Sequence, residues 1–148
     1  MNIIEIKENK KQFLPLLLLG DEQEEMIDKY LDRGRMFALY EDGEAKCICV
    51  VTDEGNGIIE VKNIATKQDS QRKGYGKAML QYVEDTFKGD FSVIQLGTGD
   101  SPLTIPFYEK CGFVRSHVIK NFYVDNYDHP IYEAGIKLVD MIYLKKNI

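Results

Sequence analysis

The sequence predicts an α+β domain in which helices flank a mixed, mostly antiparallel, twisted sheet. Two strand-like runs, at residues 35–40 and 44–52, are joined by a short turn, which is typical of an antiparallel hairpin. Further along, a long amphipathic helix separates two strand-like runs, and such a crossover implies that these two strands are parallel. At 148 residues, the chain is expected to form one domain, residues 1–148, around one core.

The first half of the chain is predicted to contain four strands and one helical region. The strands are expected at residues 3–6, 35–40, 44–52 and 58–66. Residues 10–33 are expected to be helical in two pieces, because Gly20 can stop a helix and Asp21 can cap the next one.

The second half is predicted to complete the parallel pair and the sheet. Residues 72–87 place apolar side chains three and four positions apart, which predicts an amphipathic helix that Gly89 ends. The remaining elements are expected as strands at residues 92–97, 113–119 and 138–144, and as a short helix at residues 103–110. The strands on either side of the long helix would form the parallel pair.

A long connection, residues 120–137, separates the last two predicted strands and is rich in aromatic and acidic residues. Connections of more than about 12–15 residues without regular structure often form lids or binding surfaces. The carboxylates and aromatic rings of this connection would suit a cationic amine. The alternative is that residues 122–124 extend the preceding strand and that the rest packs at a dimer contact.

Composition excludes several classes of function. The net charge of −5 argues against general nucleic-acid binding, which needs a broad basic surface. Cys47 and Cys49 would share one face of a strand, and the three cysteines show neither metal-ligand nor redox spacing, so no metal site is expected. The first residues lack a signal-peptide pattern, and the apolar run at residues 13–19 is shorter than the roughly 20 residues that cross a bilayer. A cytoplasmic protein without a membrane segment is therefore expected.

The first functional signal is a cluster of glycines and cations before the long helix. It consists of Gln71, Arg72, Lys73, Gly74, Tyr75, Gly76 and Lys77. The first turn of a helix carries unpaired N–H groups and the positive end of the helix dipole, and glycine lets an anion approach this backbone closely. The cluster predicts a phosphate site for a small anionic ligand, or else only a capped helix with a solvated basic end.

A second signal, Phe-Tyr-Glu-Lys-Cys-Gly-Phe at residues 107–113, follows one strand later. Together the two segments resemble the GNAT superfamily of acyl-CoA-dependent N-acyltransferases. Gln71-x-x-Gly74-x-Gly76 is similar to that family's [RQ]-x-x-G-x-[GA] pyrophosphate loop, and residues 107–113 are similar to its F-Y-x-x-x-G-F segment. The predicted order of strands and helices is also similar to the GNAT order over nearly the whole chain.

This resemblance implies acetyl-CoA as cosubstrate and no metal. The main-chain amides of residues 72–77 would hold the CoA pyrophosphate. The end of the preceding strand, at Ile64, Ala65 and Thr66, would pair through its backbone with the pantetheine arm and point an amide at the thioester carbonyl. At the position of Ser101 the family often has an asparagine that contacts pantetheine, so the serine would make a weaker contact or simply cap the short helix.

Two catalytic residues are also implied by the resemblance. Tyr108 lies where many members keep a tyrosine that protonates the leaving thiolate, and Glu60 lies where some relatives place a general base. An amine with a pKa of about 10 is mostly protonated at neutral pH, so a carboxylate must take its proton before attack. The alternatives are that Tyr108 is a core residue and that Glu60 is a solvated charge beside Lys62. His129 is a second base candidate, unless its Asp-His-Pro setting is only a turn.

The sequence thus predicts an acetyl-CoA-dependent N-acetyltransferase that acts on a primary amine of a small molecule or peptide, with a homodimer left open. The alternative is a non-catalytic acyl-CoA-binding or regulatory module with the same fold. A nucleotide-phosphate binder unrelated to CoA is a third and weaker interpretation.

Overall fold

The computed structural model describes residues 1–148 and confirms the predicted α+β architecture. The strands are β1 (Asn2–Ile6), β2 (Arg35–Glu41), β3 (Glu44–Asp53), β4 (Ile58–Thr66), β5 (Val93–Gly99), β6 (Val114–Ile119), β7 (Tyr132–Glu133), β8 (Ile136–Lys137) and β9 (Met141–Asn147). Seven of them form one sheet in the order β1-β2-β3-β4-β5-β9-β6, and β7 pairs with β8 separately. Only β4 and β5 are parallel in the main sheet, as the crossover predicted.

Five helices accompany the sheet: α1 (Leu14–Gly20), α2 (Glu24–Asp28), α3 (Tyr75–Phe87), α4 (Ile105–Lys110) and α5 (Phe122–Asn126). The predicted break after Gly20 is confirmed, with a short 3-10 turn at Lys10–Phe13 leading into α1. Asp21 does not cap the second helix, because the N-cap of α2 is Gln23, and α2 ends at Asp28, five residues before the predicted end. None of the helices is long and apolar enough to cross a membrane.

The predicted start of the long helix at residue 72 is wrong by three residues. Arg72 has a φ of +64° and Gly74 a φ of +86°, and a right-handed helix cannot contain these left-handed conformations. The chain therefore makes a turn at residues 72–74, and α3 begins at Tyr75.

The connection at residues 120–137 contains more regular structure than its sequence indicated. Asn121, with a φ of +59°, turns the chain out of β6 and into α5, so the alternative that residues 122–124 extend the preceding strand is wrong. The β7–β8 hairpin follows. The last strand begins at Met141 instead of residue 138, because Leu138 packs against Gly99 and the Asp140 carboxylate accepts a hydrogen bond from the Asn121 amide at 2.9 Å.

Apolar side chains fill both faces of the sheet. One core cluster lies beneath α3 and α4 and includes Cys47 and Cys49, which share a strand face as predicted. The other lies beneath α1 and α2 and includes Leu17, Ile27 and Val50. The sheet therefore lies between two layers of helices, and packing on both of its faces fixes the positions of β4 and β5.

Candidate active site

The candidate active site lies where β4 and β5 separate. Their parallel pairing ends at Val61 and Leu96, although β4 continues to Thr66 and β5 to Gly99. The register between β3 and β4 shifts at the same point, so Lys62 is an extra residue that bends β4. Beyond this bulge the β5-facing edge of β4 has no strand partner, and the backbone there can pair with an extended ligand.

Two adjoining cavities open at this separation of the strands. The Tyr108 cavity has a volume of about 210 Å³ and the Glu60 cavity a volume of about 260 Å³. Each is named after the candidate catalytic residue in its wall, and neither wall contains both. The residues that line both cavities are Gly20, Asp21, Val61, Lys62, Gly97, Tyr123 and Tyr127. The structure thus places Tyr108 and Glu60 in neighbouring chambers that share one wall.

The glycine and cation cluster at residues 71–77 leads from β4 into α3. Gly74 is the N-terminal cap of α3, and the side-chain amide of Gln71 donates a hydrogen bond to the backbone oxygen of Thr66 at 3.2 Å. The side chains of Arg72, Lys73 and Lys77 are exposed. The unpaired amides of the first helical turn therefore lie beside the end of β4, where an anionic group would meet both the helix dipole and mobile cations.

The two sequence motifs meet at Gly76. A β-carbon at this position would lie 3.5 Å from Cζ of Phe107 and 3.8 Å from Oγ1 of Thr66, which are ordinary contact distances. Tyr75 has a different role, because its hydroxyl donates a hydrogen bond to the carboxylate of Glu41 in β2. Only the main chain of Tyr75 is therefore left for the predicted phosphate site.

The three residues predicted to contact pantetheine alternate in direction, as expected for a strand. Ile64 lines the Tyr108 cavity, and the buried Ala65 belongs to the core cluster beneath α1 and α2. Thr66 approaches Gly76 on the side of α3. What these residues have in common is the unpartnered backbone edge on the side of β5.

Tyr108 lies on α4 and is only 9 % exposed. Its ring packs edge-on against Phe107 and Phe113, and its side chain lines the cavity. Burial raises the pKa of Tyr108 above its ordinary value, with smaller contributions from Cys49 and from the negative charge of Glu133. The hydroxyl therefore stays protonated throughout the neutral range and is available as a hydrogen-bond donor.

Glu60 is 4 % exposed, so the alternative of a solvated charge does not hold. Its Oε1 accepts a hydrogen bond from Gln95 at 2.6 Å, and its Oε2 accepts one from the Tyr143 hydroxyl at 3.0 Å. Lys62 Nζ lies 2.8 Å from the same Oε2. The carboxylate is thus a fixed charge whose oxygens already have three donors.

Two further candidate site residues, Ser101 and His129, line neither cavity and contact residues close to them in the sequence. The buried Ser101 accepts a hydrogen bond from the Leu103 amide at 3.1 Å and so stabilises the turn before α4. His129 is exposed and lies 2.6 Å from Asp128 and 3.7 Å from Glu22, outside the walls of the Tyr108 and Glu60 cavities. The structure does not bring His129 together with Tyr108.

Asp21 is a site residue that sequence reasoning treated only as a helix cap. Its carboxylate accepts hydrogen bonds from the Tyr30 hydroxyl at 3.0 Å and from the Tyr127 hydroxyl at 2.6 Å. The Asp128 amide also donates to the side chain of Gln23 at 3.0 Å. These bonds join the α1–α2 turn to the end of α5 across the cleft, and no local sequence signal reveals a contact between such distant segments.

In this protein a bulged strand separates from its parallel neighbour, and a glycine turn at the start of a helix follows that strand. This order of elements defines the class of acyl-CoA-dependent N-acyltransferases. The family model of the GNAT acetyltransferase domain matches residues 32–115, which is more than half of the chain. The chain belongs to this family, and the resemblance seen in the sequence is confirmed. No group of three or more His, Cys, Asp or Glu side chains is placed to hold a metal ion.

Individual relatives agree with this assignment. The chain is similar to the uncharacterized N-acetyltransferase YvbK of Bacillus subtilis (strain 168), with 33% identity over 140 residues, covering 93% of this chain and 90% of that protein. It is also similar to the crystal structure of a GNAT family acetyltransferase from Elizabethkingia anophelis with acetyl-CoA bound, with a TM-score of 0.94, 32% identity and coverage of 99% and 97%. A Bacillus subtilis acetyltransferase in complex with CoA gives a TM-score of 0.90, 32% identity and coverage of 99% and 98%.

Proposed function

We propose that this acetyltransferase moves the acetyl group of acetyl-CoA directly to a primary amine of a small molecule or peptide. The observation that carries the proposal is a continuous path from the turn at residues 71–74, along the unpartnered edge of β4, to the hydroxyl of Tyr108. The ligands of two relatives with 32% identity, acetyl-CoA and CoA, support the choice of donor.

The donor would bind through backbone groups and cations. Its pyrophosphate would accept hydrogen bonds from the amides of residues 72–77, with Arg72, Lys73 and Lys77 supplying positive charge. Its pantetheine arm would lie along Ile64, Ala65 and Thr66 as an added strand. Ser101 accepts a hydrogen bond from the Leu103 amide, and its own hydroxyl proton would still be available for this contact.

The reaction needs only groups that this chain supplies. The amine nitrogen attacks the thioester carbonyl carbon, and a backbone N–H on the open edge of β4 stabilises the oxygen as it gains negative charge. The carbon–sulfur bond then breaks, and the Tyr108 hydroxyl donates its proton to the leaving sulfur. A buried, neutral tyrosine suits this role because it is already protonated at neutral pH.

Glu60 is the residue that the sequence predicts as the general base. Because Lys62, Gln95 and Tyr143 already donate to its oxygens, an amine proton would reach Glu60 through water or after Lys62 moves away. In either case the carboxylate of Glu60 lies in the wall of the Glu60 cavity, where its negative charge would attract a cationic acceptor.

The proposal is tested by mixing the protein with acetyl-CoA and a panel of amines while free thiol is measured. The panel should include amino acids, polyamines, aminoglycosides and peptides with free N-termini or lysines. We expect thiol release that depends on one class of amine, with a product heavier by one acetyl group. Binding of acetyl-CoA without release on any amine would contradict the catalytic proposal.

A further inference from the structure

Three carboxylates line the Tyr108 cavity, and they differ in what already binds them. Asp21 accepts hydrogen bonds from two tyrosine hydroxyls. The exposed Glu22 lies 3.7 Å from the ring of His129. Glu133 lines the same cavity, is half-buried, and has neither an ion pair nor a side-chain hydrogen bond. It is therefore the carboxylate in this wall that can receive a ligand without losing an existing partner.

The backbone holds Glu133 in a defined position. It is the last residue of β7, and Ala134 and Gly135 form the hairpin turn with φ values of +52° and +74°. At the base of the hairpin the Leu138 amide donates to the Ile131 carbonyl at 2.8 Å, and both of these side chains are buried. The base of the hairpin is therefore anchored in the protein, and Glu133 lies close to that anchored base.

The surroundings of Glu133 suit a cation. Tyr123 of α5 and Tyr127, the residue after α5, line the same cavity, and their rings stack with centroids 5.7 Å apart and an interplanar angle of 21°. Aromatic faces and a carboxylate together attract an ammonium group. Glu60, in contrast, is absent from this wall and keeps its own lysine at 2.8 Å.

We propose that Glu133 binds the ammonium group of the acceptor and accepts its proton, so that Glu133 and Tyr108 act as the base and the acid of one cavity. This inference rests on the amine acetyltransferase function proposed above. It assigns the direct proton acceptor to the β7–β8 hairpin instead of to Glu60.

The proton balance of this step is complete. The ammonium gives one proton to the Glu133 carboxylate, and the neutral nitrogen forms a bond with the thioester carbonyl carbon. When the carbon–sulfur bond breaks, Tyr108 gives its proton to the sulfur, and the second proton of the new amide nitrogen restores the tyrosine hydroxyl. The products are the acetylated amine and CoA thiol, and the proton on Glu133 leaves to solvent.

Glu133 and Tyr108 are close enough to interact electrostatically. After burial and Cys49, the charge of Glu133 is the next contribution that raises the pKa of Tyr108.

The test compares Glu133→Gln, Glu60→Gln and the exposed control Asp125→Asn, with the amine that the wild-type protein acetylates best. We expect E133Q to lower kcat/KM for the amine about 100-fold at pH 7 and to leave the Kd of acetyl-CoA unchanged. The deficit should shrink as the pH approaches the amine pKa of about 10, because the free amine then needs no base. A merely structural loss would not recover with pH.

The activities of E133Q and E60Q decide whether Glu133 is the direct proton acceptor. Activity of E133Q within twofold of the wild type at pH 7, or the pH-dependent loss appearing in E60Q instead, overturns the assignment. A large loss that stays constant with pH also overturns it. A wild-type protein that acetylates no amine refutes the transferase proposal itself, which is a different result from an active wild type with an unaffected E133Q.

Discussion

Tyr108 combines a buried ring with a hydroxyl that lines a cavity. The aromatic contacts with Phe107 and Phe113 fix the ring, and the raised pKa keeps the hydroxyl neutral. A tyrosine held in this way can donate a proton or a hydrogen bond to a leaving thiolate but cannot act as a base at neutral pH. Its proposed role therefore depends on the hydroxyl and not on the ring.

Tyr108→Phe is expected to lower kcat about 100-fold or more, because it removes the proton donor and keeps the packing. The Kd of acetyl-CoA, measured by calorimetry, should stay within twofold of the wild type. Tyr82→Phe is the matched control, since Tyr82 lies on α3 and packs against Phe37 of β2, and it lines neither the Tyr108 cavity nor the Glu60 cavity. Full turnover by Y108F would rule out the acid role.

Asp21 provides a test of the contact between the α1–α2 turn and α5. Its pKa is raised, chiefly because burial disfavours the charged carboxylate, although the hydroxyls of Tyr127 and Tyr30 act in the opposite direction. The folded protein therefore binds this proton more tightly than the unfolded chain does. The resulting stability is fully present below the ordinary value of 3.8 and is lost as the pH rises through the raised value.

Asp21→Asn removes this titration. The free energy of unfolding of the wild type relative to D21N is expected to fall as the pH rises from about 4 to about 7. Urea unfolding of both proteins across this range measures the difference. A difference that is independent of pH, or that grows with pH, would show that Asp21 is not buried as described.

Residue roles were predictable only where a motif marked them. Residues 71–77 and Tyr108 stand in recognisable patterns, so the sequence could place them near each other. The surroundings of Glu60 depend on Tyr143, which is 83 positions away, and those of Asp21 depend on Tyr127, which is 106 positions away. Local patterns do not encode such partners: the sequence marked Asp21 only as a helix cap and Glu133 only as one of several carboxylates in the connection at residues 120–137.

At the scale of elements, the turn before α3 shows how one backbone conformation creates a site. Left-handed φ values at Arg72 and Gly74 let the chain reverse and present the first amides of α3 beside Thr66. An ordinary side chain in this conformation costs roughly 1–2 kcal/mol, whereas glycine has no such penalty. Of the two glycines in the motif, Gly74 has a positive φ and Gly76 does not, so only Gly74 is needed for the conformation of the turn.

Gly74→Ala and Gly76→Ala form a matched pair. Gly74→Ala should destabilise the fold by about 1 kcal/mol and weaken acetyl-CoA binding, because it strains the turn that presents the amides. Gly76→Ala should leave acetyl-CoA affinity within about threefold, since the new β-carbon would meet Phe107 and Thr66 only at contact distance. Urea unfolding and calorimetric titration measure both effects, and equal losses from the two substitutions would contradict this account.

Element types were predicted better than element boundaries. Hydrophobic periodicity identified the strands of the main sheet, and all of them except the edge strand β6, which is exposed along its whole length, have a face in a core. Periodicity did not reveal the turn at Arg72, since a positive φ at a non-glycine residue leaves no mark in the pattern. The bulge at Lys62 and the helix α5 were also missed: the bulge is a register shift between β3 and β4, and α5 follows a left-handed residue, Asn121.

At the scale of the whole molecule, the packed sheet holds open the gap between β4 and β5. Helices pack on both of its faces, so β4 and β5 cannot close the gap that begins after Val61 and Leu96. A ligand that enters this gap would supply the missing strand partner and join β4, α3 and α4. Donor binding should therefore stabilise the entire fold and not one loop.

Acetyl-CoA at about 100 times its Kd is expected to raise the free energy of unfolding by roughly 2.7 kcal/mol. A thermal-shift series measures this against ATP and NAD at the same concentration. These two ligands share phosphate groups with the donor but lack the pantetheine arm, so their shifts should be much smaller. Equal shifts with all three would favour a general phosphate binder.

The central claim is that acetyl-CoA lies in the opening between β4 and β5, and a crystal structure of the complex tests it most directly. We expect the pyrophosphate oxygens within hydrogen-bond distance of the amides of residues 72–77, and the pantetheine paired with the backbone of residues 64–66. The thioester sulfur should lie beside the hydroxyl of Tyr108. Acetyl-CoA bound elsewhere on the protein, or bound with its sulfur turned away from Tyr108, would contradict the account.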